Sequence, residues 1–177
     1  KCRNLGISLS KGTYISFIDA DDFVCPDFYE KLYDNSNEFE IIKGEVFDYN
    51  PLTNEVKLNN SCNLNHYLLE TKNPLYFYYG FTSAIYKKDF LDKFNLRFDE
   101  NLTYNEDPLF SVKGGSFLTK FKVVDGAKYF YREVDESLGR KLTKEKGISF
   151  TNSILQMRAH LYSFNFYFEN RNILGSQ

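Results

Sequence analysis

A short apolar segment that ends in a group of carboxylates constrains this sequence more than any other feature. Residues 14–18 are rich in aromatic and β-branched side chains, and Gly12 precedes them, which is typical of a central β-strand. Asp19, Asp21 and Asp22 follow at once, with no glycine between them. Carboxylates packed this closely repel one another and are costly to desolvate. We therefore expect a cation at the carboxyl end of this strand, where open α/β sheets usually bind their ligands.

Three interpretations of this acidic cluster are compatible with its spacing. It is either a solvated acidic turn, a calcium loop, or a site for a divalent cation that carries a phosphorylated substrate. Four carboxylates fall at the first, third, ninth and twelfth positions of an EF-hand loop, namely Asp19, Asp21, Asp27 and Glu30. However, Phe23 occupies the fifth position, and Val24 occupies the position of the turn glycine. The calcium-loop interpretation is therefore poor.

The residues around the cluster form an ordered set of motifs. An Arg3-Asn4-x-Gly6 helix precedes a Gly12-x-Tyr14-Ile15 strand, and Pro26 follows the Asp19-x-Asp21-Asp22 motif. This combination closely resembles the family 2 glycosyltransferases of the GT-A type. The resemblance implies a transferase that uses a nucleotide-diphosphate sugar together with Mn²⁺ or Mg²⁺.

The resemblance also implies a role for each polar residue of these motifs. Asp21 would bind the metal directly, and Asp19 would contact the donor ribose or the metal through water. Asp22 would support the metal site, and Arg3 would contact the nucleotide. These four residues form the predicted donor and metal site.

The sequence Asn105-Glu106-Asp107-Pro108 has two interpretations. From the residues alone, Pro108 suits the first turn of a helix and Asp107 suits the N-cap position. The family has a Glu-Asp pair at this point in the chain, so the resemblance implies that Asp107 is the catalytic base and that Glu106 assists it. A helix N-terminus would lower the pKa of Asp107 and weaken it as a base.

The segment from Phe121 to Arg132 reads as two short strands around the turn Asp125-Gly126. Its end, Tyr129-x-Tyr131-Arg132 followed by Ser137, resembles the closing strand of the family. The resemblance implies that Arg132 contacts the donor.

The order of predicted elements indicates an α/β fold. Helices are expected up to about residue 10, over residues 26–35 and over residues 88–94, with strands over residues 39–47, 55–58 and 83–86. The resemblance implies a partial GT-A, Rossmann-like mixed sheet with flanking helices. Residues 1–142 would form the metal and acceptor portion of this domain. The amphipathic segment 143–177 would be helical and would pack on the same domain.

Composition limits the other classes of function. A length of 177 residues suits one sizeable core, and a net charge of -2 gives no argument for nucleic-acid binding. The sequence contains no apolar run long enough to span a membrane. Its three cysteines show no CxxC spacing, so a reducing compartment is expected. We expect a cytoplasmic protein, with peripheral contact to the inner face of the membrane as a further expectation.

The first residues predict that a preceding part of the domain is missing. Leu5, Ile7 and Leu9 already follow helical spacing, although natural domains rarely begin inside a helix. The family's nucleotide-binding start also has no counterpart here. We therefore expect the C-terminal portion of a larger enzyme, inactive alone, whose unpaired sheet edge is hidden by self-association or by the terminal helices.

The predicted function is inverting transfer of a sugar from a nucleotide-diphosphate donor to a glycan hydroxyl, in bacterial surface polysaccharide synthesis. One alternative is a haloacid-dehalogenase-like phosphatase with Asp19 as nucleophile, although such enzymes carry small residues where Asp22-Phe23 stands here. The other alternative is a non-catalytic interaction domain that kept the GT-A fold.

Overall fold

The structure is a computed structural model that describes residues 1–60, 81–102 and 106–133. The predicted helical segment 143–177, and also Asn105 and Ser137, lie outside these residues. The helices are α1 (Cys2–Leu9), α2 (Phe28–Asp34), α3 (Lys88–Lys93) and α4 (Glu106–Phe117). The strands are β1 (Tyr14–Ser16), β2 (Phe23–Val24), β3 (Ile41–Asn50), β4 (Glu55–Leu58), β5 (Ala84–Lys87) and β6 (Phe121–Arg132). A short 3-10 turn, Phe81–Ser83, leads into β5.

The described strands form one mixed sheet in the order β1-β5-β3-β6-β2, and β4 pairs with β3 outside this path. Strands β3 and β6 run parallel, whereas the other four pairings are antiparallel. Helices flank this sheet, so the predicted α/β class is confirmed. Within the part of the chain that the structure describes, no helix is long and apolar enough to cross a membrane.

The strand that leads to the acidic cluster differs from its prediction in length and position. It ends at Ser16, although the apolar pattern continues to Ile18. Its partner is β5, and β1 lies at one end of the described strand order instead of at its centre. The chain therefore leaves the sheet after Ser16, and residues 17–22 form the turn that carries the acidic cluster.

The predicted pair of short strands around Asp125-Gly126 is also wrong, because residues 121–132 form the single strand β6. Lys43 pairs with Val123 and Glu45 with Lys128, so Gly44 alone lies opposite residues 124–127. Both halves of β6 run parallel to β3, which a hairpin would not allow. The positive φ of Gly126, 77°, instead accommodates a bulge in β6.

Alternate residues of the central strands face two separate cores. Ile42 of β3 and Ile85 of β5 pack with α2 on one face, whereas their neighbours Ile41 and Tyr86 pack on the other face. The second core also receives Ile7 of α1, together with residues from α3 and α4. The exposed face of α1 carries the other two residues of the predicted apolar spacing, Leu5 and Leu9.

Phe17, directly after β1, anchors the acidic turn to the second core. Its ring lies 5.8 Å from the ring of Phe81, 5.4 Å from that of Phe98 and 5.9 Å from that of Phe110. Because Phe110 belongs to α4, this aromatic packing brings the acidic turn close to the helix that begins at Glu106.

The close approach of Gly44 to the β6 bulge predicts a strict requirement for glycine. An alanine Cβ at position 44 would lie 2.3 Å from the carbonyl oxygen of Ala127 and 2.7 Å from Cε2 of Phe28. Gly44→Ala should lower the free energy of unfolding by about 3 kcal/mol in urea denaturation. As a control, Gly6→Ala in α1 meets nothing within 4 Å and should raise it by about 0.5–1 kcal/mol. Equal stabilities of the two variants would contradict the bulge geometry.

Candidate active site

Arg3 of α1 joins two distant parts of the chain that carry predicted site residues. Its Nη1 donates a hydrogen bond to Oε1 of Glu106 at 2.7 Å, and its Nη2 donates to Oδ1 of Asp19 at 3.1 Å. The guanidinium carbon lies 4.8 Å from the ring centre of Phe81 and 5.3 Å from that of Phe98. The rings fix the guanidinium plane, so the two carboxylates are held by one oriented cation.

Asn4, the next residue of the same motif, fixes α1 against the chain before α4. Its Nδ2 donates to the carbonyl oxygen of Phe98 at 2.9 Å, and its Oδ1 accepts from the backbone N–H of Phe98 at 2.8 Å. The Nδ2 group also donates to Oε1 of Glu100 at 3.0 Å. Asn4 has no predicted role in the motif, and its hydrogen bonds hold the helix that carries Arg3 against residues 98–100.

Strand β6 holds the acidic turn from the other side. The phenolic hydroxyl of Tyr129 donates to Oδ2 of Asp22 at 2.5 Å, and the backbone N–H of Arg132 donates to Oδ1 of Asp22 at 2.9 Å. The backbone N–H of Asp19 donates to the oxygen of Tyr129 at 3.4 Å. Sequence reasoning missed Tyr129 as a site residue, since an aromatic residue in an apolar strand gives the signal of a core position.

The carboxylates of the acidic turn differ in their surroundings. Burial raises the pKa of Asp22, although hydrogen bonds from Tyr129 and Arg132 oppose the rise. Both carboxylate oxygens of Asp22 accept hydrogen bonds from β6. In contrast, Asp21 is exposed, and the side chain of Asp19 is 40% exposed.

The carboxylates of the acidic turn decide whether this site can bind a metal ion. Among the residues that the structure describes, no group of three His, Cys, Asp or Glu side chains is arranged to hold a metal. Asp19 and Asp21 nevertheless offer hard carboxylate oxygens at the surface. Mg²⁺ is usually bound by one or two carboxylates plus substrate phosphates and water. The donor set thus fits a cation whose shell is completed by substrate.

Asp107 lies inside the first turn of α4, which begins at Glu106, and not at the predicted N-cap. Burial, reinforced by the negative charge of Glu106, raises the pKa of Asp107 from 3.8 to about 6, although Arg3 opposes the rise. The predicted lowering of this pKa by the helix N-terminus is therefore wrong, because desolvation of a mostly buried carboxylate outweighs the helix dipole.

Arg132 lies beside the acidic turn with an unused donor. Its Nε is buried and has no hydrogen-bond partner among the described residues. Its guanidinium carbon lies 5.8 Å from the ring centres of both Phe23 and Tyr49. A buried donor without a partner carries a free-energy cost that an anionic ligand would relieve.

Hydrogen bonds link five of the seven predicted site residues and Tyr129 into one continuous network, and Asp107 directly follows the network residue Glu106 in the chain. Its members, in order, are Glu106, Arg3, Asp19, Tyr129, Asp22 and Arg132. Asp21 lies in the same turn and is exposed to solvent. The acidic turn, α1, α4 and β6 therefore meet at one site.

Comparison with known proteins identifies a family and curated relatives, two of which align with most of this chain. The model of the family described as "Glycosyl transferase family 2" matches residues 1–94. The minor teichoic acid biosynthesis protein GgaB of Bacillus subtilis (strain 168) is 31% identical over 164 residues, which cover 90% of this chain and 18% of GgaB. The uncharacterized glycosyltransferase EpsJ of the same organism is 25% identical over 146 residues, which cover 77% of this chain and 42% of EpsJ. The chain thus spans less than half of either relative.

Solved structures show the same fold. Residues 1–349 of TarS from S. aureus, in complex with UDP-GlcNAc, match with a TM-score of 0.58 at 18% identity, over 76% of this chain and 38% of that chain. The complex of the same protein with UDP matches with a TM-score of 0.57 at 17% identity, over 86% of this chain and 48% of that chain. At such low identity the likeness concerns the fold alone.

The raised pKa of Asp107 predicts a pH dependence of stability. Between pH 3.8 and about 6, the folded protein keeps a proton on Asp107, whereas the unfolded chain has already released it. The stabilisation is therefore complete below the unfolded pKa, and the free energy of unfolding should fall by about 3 kcal/mol as pH rises through this window. Asp107→Asn should remove this part of the slope in urea denaturation at a series of pH values. Identical slopes for the two proteins would show that Asp107 is not desolvated.

Proposed function

The chain belongs to glycosyl transferase family 2, whose model matches more than half of its residues, and we propose on this basis that it forms part of an inverting glycosyltransferase. The family predicted from the sequence is thereby confirmed. The donor we propose is a nucleotide-diphosphate sugar, in line with the UDP-GlcNAc and UDP complexes of TarS. The acceptor we propose is a hydroxyl of a cell-surface glycan, in line with the similarity to GgaB, a minor teichoic acid biosynthesis protein.

This proposal rests mainly on the hydrogen-bond network. The network ends at Glu106, next to Asp107, whose pKa is raised. A general base works best when its pKa lies near the working pH, and burial moves the pKa of Asp107 to about 6. Glu106, at one end of the network, directly precedes Asp107 in the chain, which supports a base close to the acidic turn. A transferase needs both, because it must deprotonate an acceptor while it stabilises a departing diphosphate.

In the proposed reaction, Asp107 accepts the proton of the acceptor hydroxyl. The acceptor oxygen then attacks the anomeric carbon, and the bond from that carbon to the diphosphate oxygen breaks on the opposite side. Attack opposite the leaving group inverts the anomeric configuration. Glu106 assists through its charge, which raises the pKa of Asp107 and makes it a stronger base.

The donor end of the site would hold Mn²⁺ or Mg²⁺ through Asp21 and Asp19, with Asp22 supporting the turn. Such an ion, when bound, neutralises the negative charge that develops on the leaving diphosphate. Arg132 would donate a hydrogen bond from its buried Nε–H to the leaving diphosphate. Contact between Arg3 and the nucleotide stays a prediction, since both Nη atoms of Arg3 already bind carboxylates.

The family match favours a transferase over the phosphatase alternative, and an intact network favours catalysis over a purely structural role. A nucleotide-sugar donor and the low cysteine content favour the cytoplasm, with a glycan acceptor presented at the inner face of the membrane. Because the chain spans 18% of GgaB and 42% of EpsJ, we propose that transfer requires the full-length protein, and self-association stays a prediction.

Removal of the metal or of Asp21 tests the proposed function. In the full-length protein, sugar transfer and donor binding should require Mn²⁺ or Mg²⁺. Asp21→Ala should lower donor affinity by about tenfold or more and abolish its dependence on the metal in calorimetry. Asp34→Ala removes an exposed carboxylate at the end of α2 and should change neither property. Equal donor affinity in chelator and in Mn²⁺ would refute the metal site, and absence of transfer from every nucleotide sugar would refute the transferase.

A further inference from the structure

The guanidinium of Arg3 is shared between residues that are far apart in the sequence. Its two carboxylate partners, Asp19 and Glu106, are 16 and 103 positions away from it. Asp19 begins the acidic turn, and Glu106 begins α4 and directly precedes Asp107. Arg3 thus contacts the donor side and the acceptor side of the site at the same time.

We infer that Arg3 is a positioning residue that sets the separation between the acidic turn and the catalytic base. This inference rests on the proposed function, because it assumes that the turn binds the donor and that Asp107 deprotonates the acceptor. Attack on the anomeric carbon requires donor and base at a fixed distance, and a misplacement of about 1 Å lowers turnover by about 100-fold. The apolar contact of Phe17 with Phe110 brings the two elements together, but it does not fix the separation between Asp19 and Glu106.

The chemistry of the site favours arginine over lysine for this task. The two hydrogen bonds leave different nitrogens of one planar group, so the fork of the guanidinium fixes two directions at once. Phe81 and Phe98 lie against that plane and limit its rotation. A lysine ammonium is a point charge on a flexible stem, and it would satisfy one carboxylate better than both.

The position of this ion-pair triad at the surface limits its effect on stability. The side chains of Arg3, Asp19 and Glu106 are 33%, 40% and 27% exposed, and exposed ion pairs contribute little to folding. Loss of Arg3 should therefore disturb geometry and turnover far more than it disturbs folding. Arg97 offers a matched control, because its Nη2 binds Asp92 at 2.7 Å and its side chain is 28% exposed.

Hydrogen–deuterium exchange and steady-state kinetics on the full-length protein test the inference. Arg3→Met should speed exchange both in the segment around residues 19–22 and in the first turn of α4. It should lower kcat by about tenfold or more while the KM for the donor changes less than about threefold. Arg3→Lys should recover only part of kcat. Arg97→Met should leave exchange in these two segments, and kcat, at wild-type values.

The outcomes separate the inference from the proposed function. Unchanged exchange in either segment, or a kcat within about twofold of wild type, would overturn the positioning role. A large rise in donor KM at constant kcat would also overturn it, because Arg3 would then bind the donor directly. If the wild-type protein transfers no sugar but Arg3→Met loosens both segments together, the structural link stands and the proposed function fails. Additive effects of Arg3→Met and Glu106→Gln on kcat would likewise count against the link.

Discussion

One cation held among several carboxylates is the interaction on which the site depends. Arg3 binds Asp19 and Glu106 directly, and its charge also acts on Asp107. Without it, Asp19 of the turn and Glu106 of α4 would lie near each other with no positive charge between them, and they would repel one another even though solvent reaches both. Two sets of contacts hold Arg3 in this position. Asn4 fixes α1 against the backbone of Phe98, and aromatic packing around Phe17 brings the acidic turn close to α1 and α4.

Two opposing effects decide the properties of the proposed base. The N-terminus of α4 favours the carboxylate form of Asp107, as does Arg3. Desolvation favours the protonated form, and the charge of Glu106 adds to it. Desolvation prevails, so the pKa rises to about 6. A carboxyl group with this pKa is still ionised at neutral pH and is a stronger base than an exposed aspartate, which suits it to accept a proton from a hydroxyl.

Local features were predictable from the sequence, whereas features that depend on distant pairing were not. The helix from Cys2 and the strand at Glu55 follow from local spacing and turn residues, and both are confirmed. The Asp125-Gly126 dipeptide is also a local signal, typical of a hairpin turn, but in the structure it forms a bulge because β6 pairs in parallel with β3 on both sides of it. The roles of Tyr129 and of the Arg3 bridge depend on contacts more than 100 positions apart, 110 and 103 respectively, which no local pattern encodes.

The anomeric configuration of the product tests most directly whether the site works as proposed, with Asp107 as base and the diphosphate leaving from the opposite side. The measurement is proton NMR of the first product formed by the full-length protein from a donor whose sugar is α-linked to the diphosphate. Direct attack by the deprotonated acceptor predicts a β-linked product, since one displacement inverts the anomeric carbon. An α-linked product would contradict this mechanism.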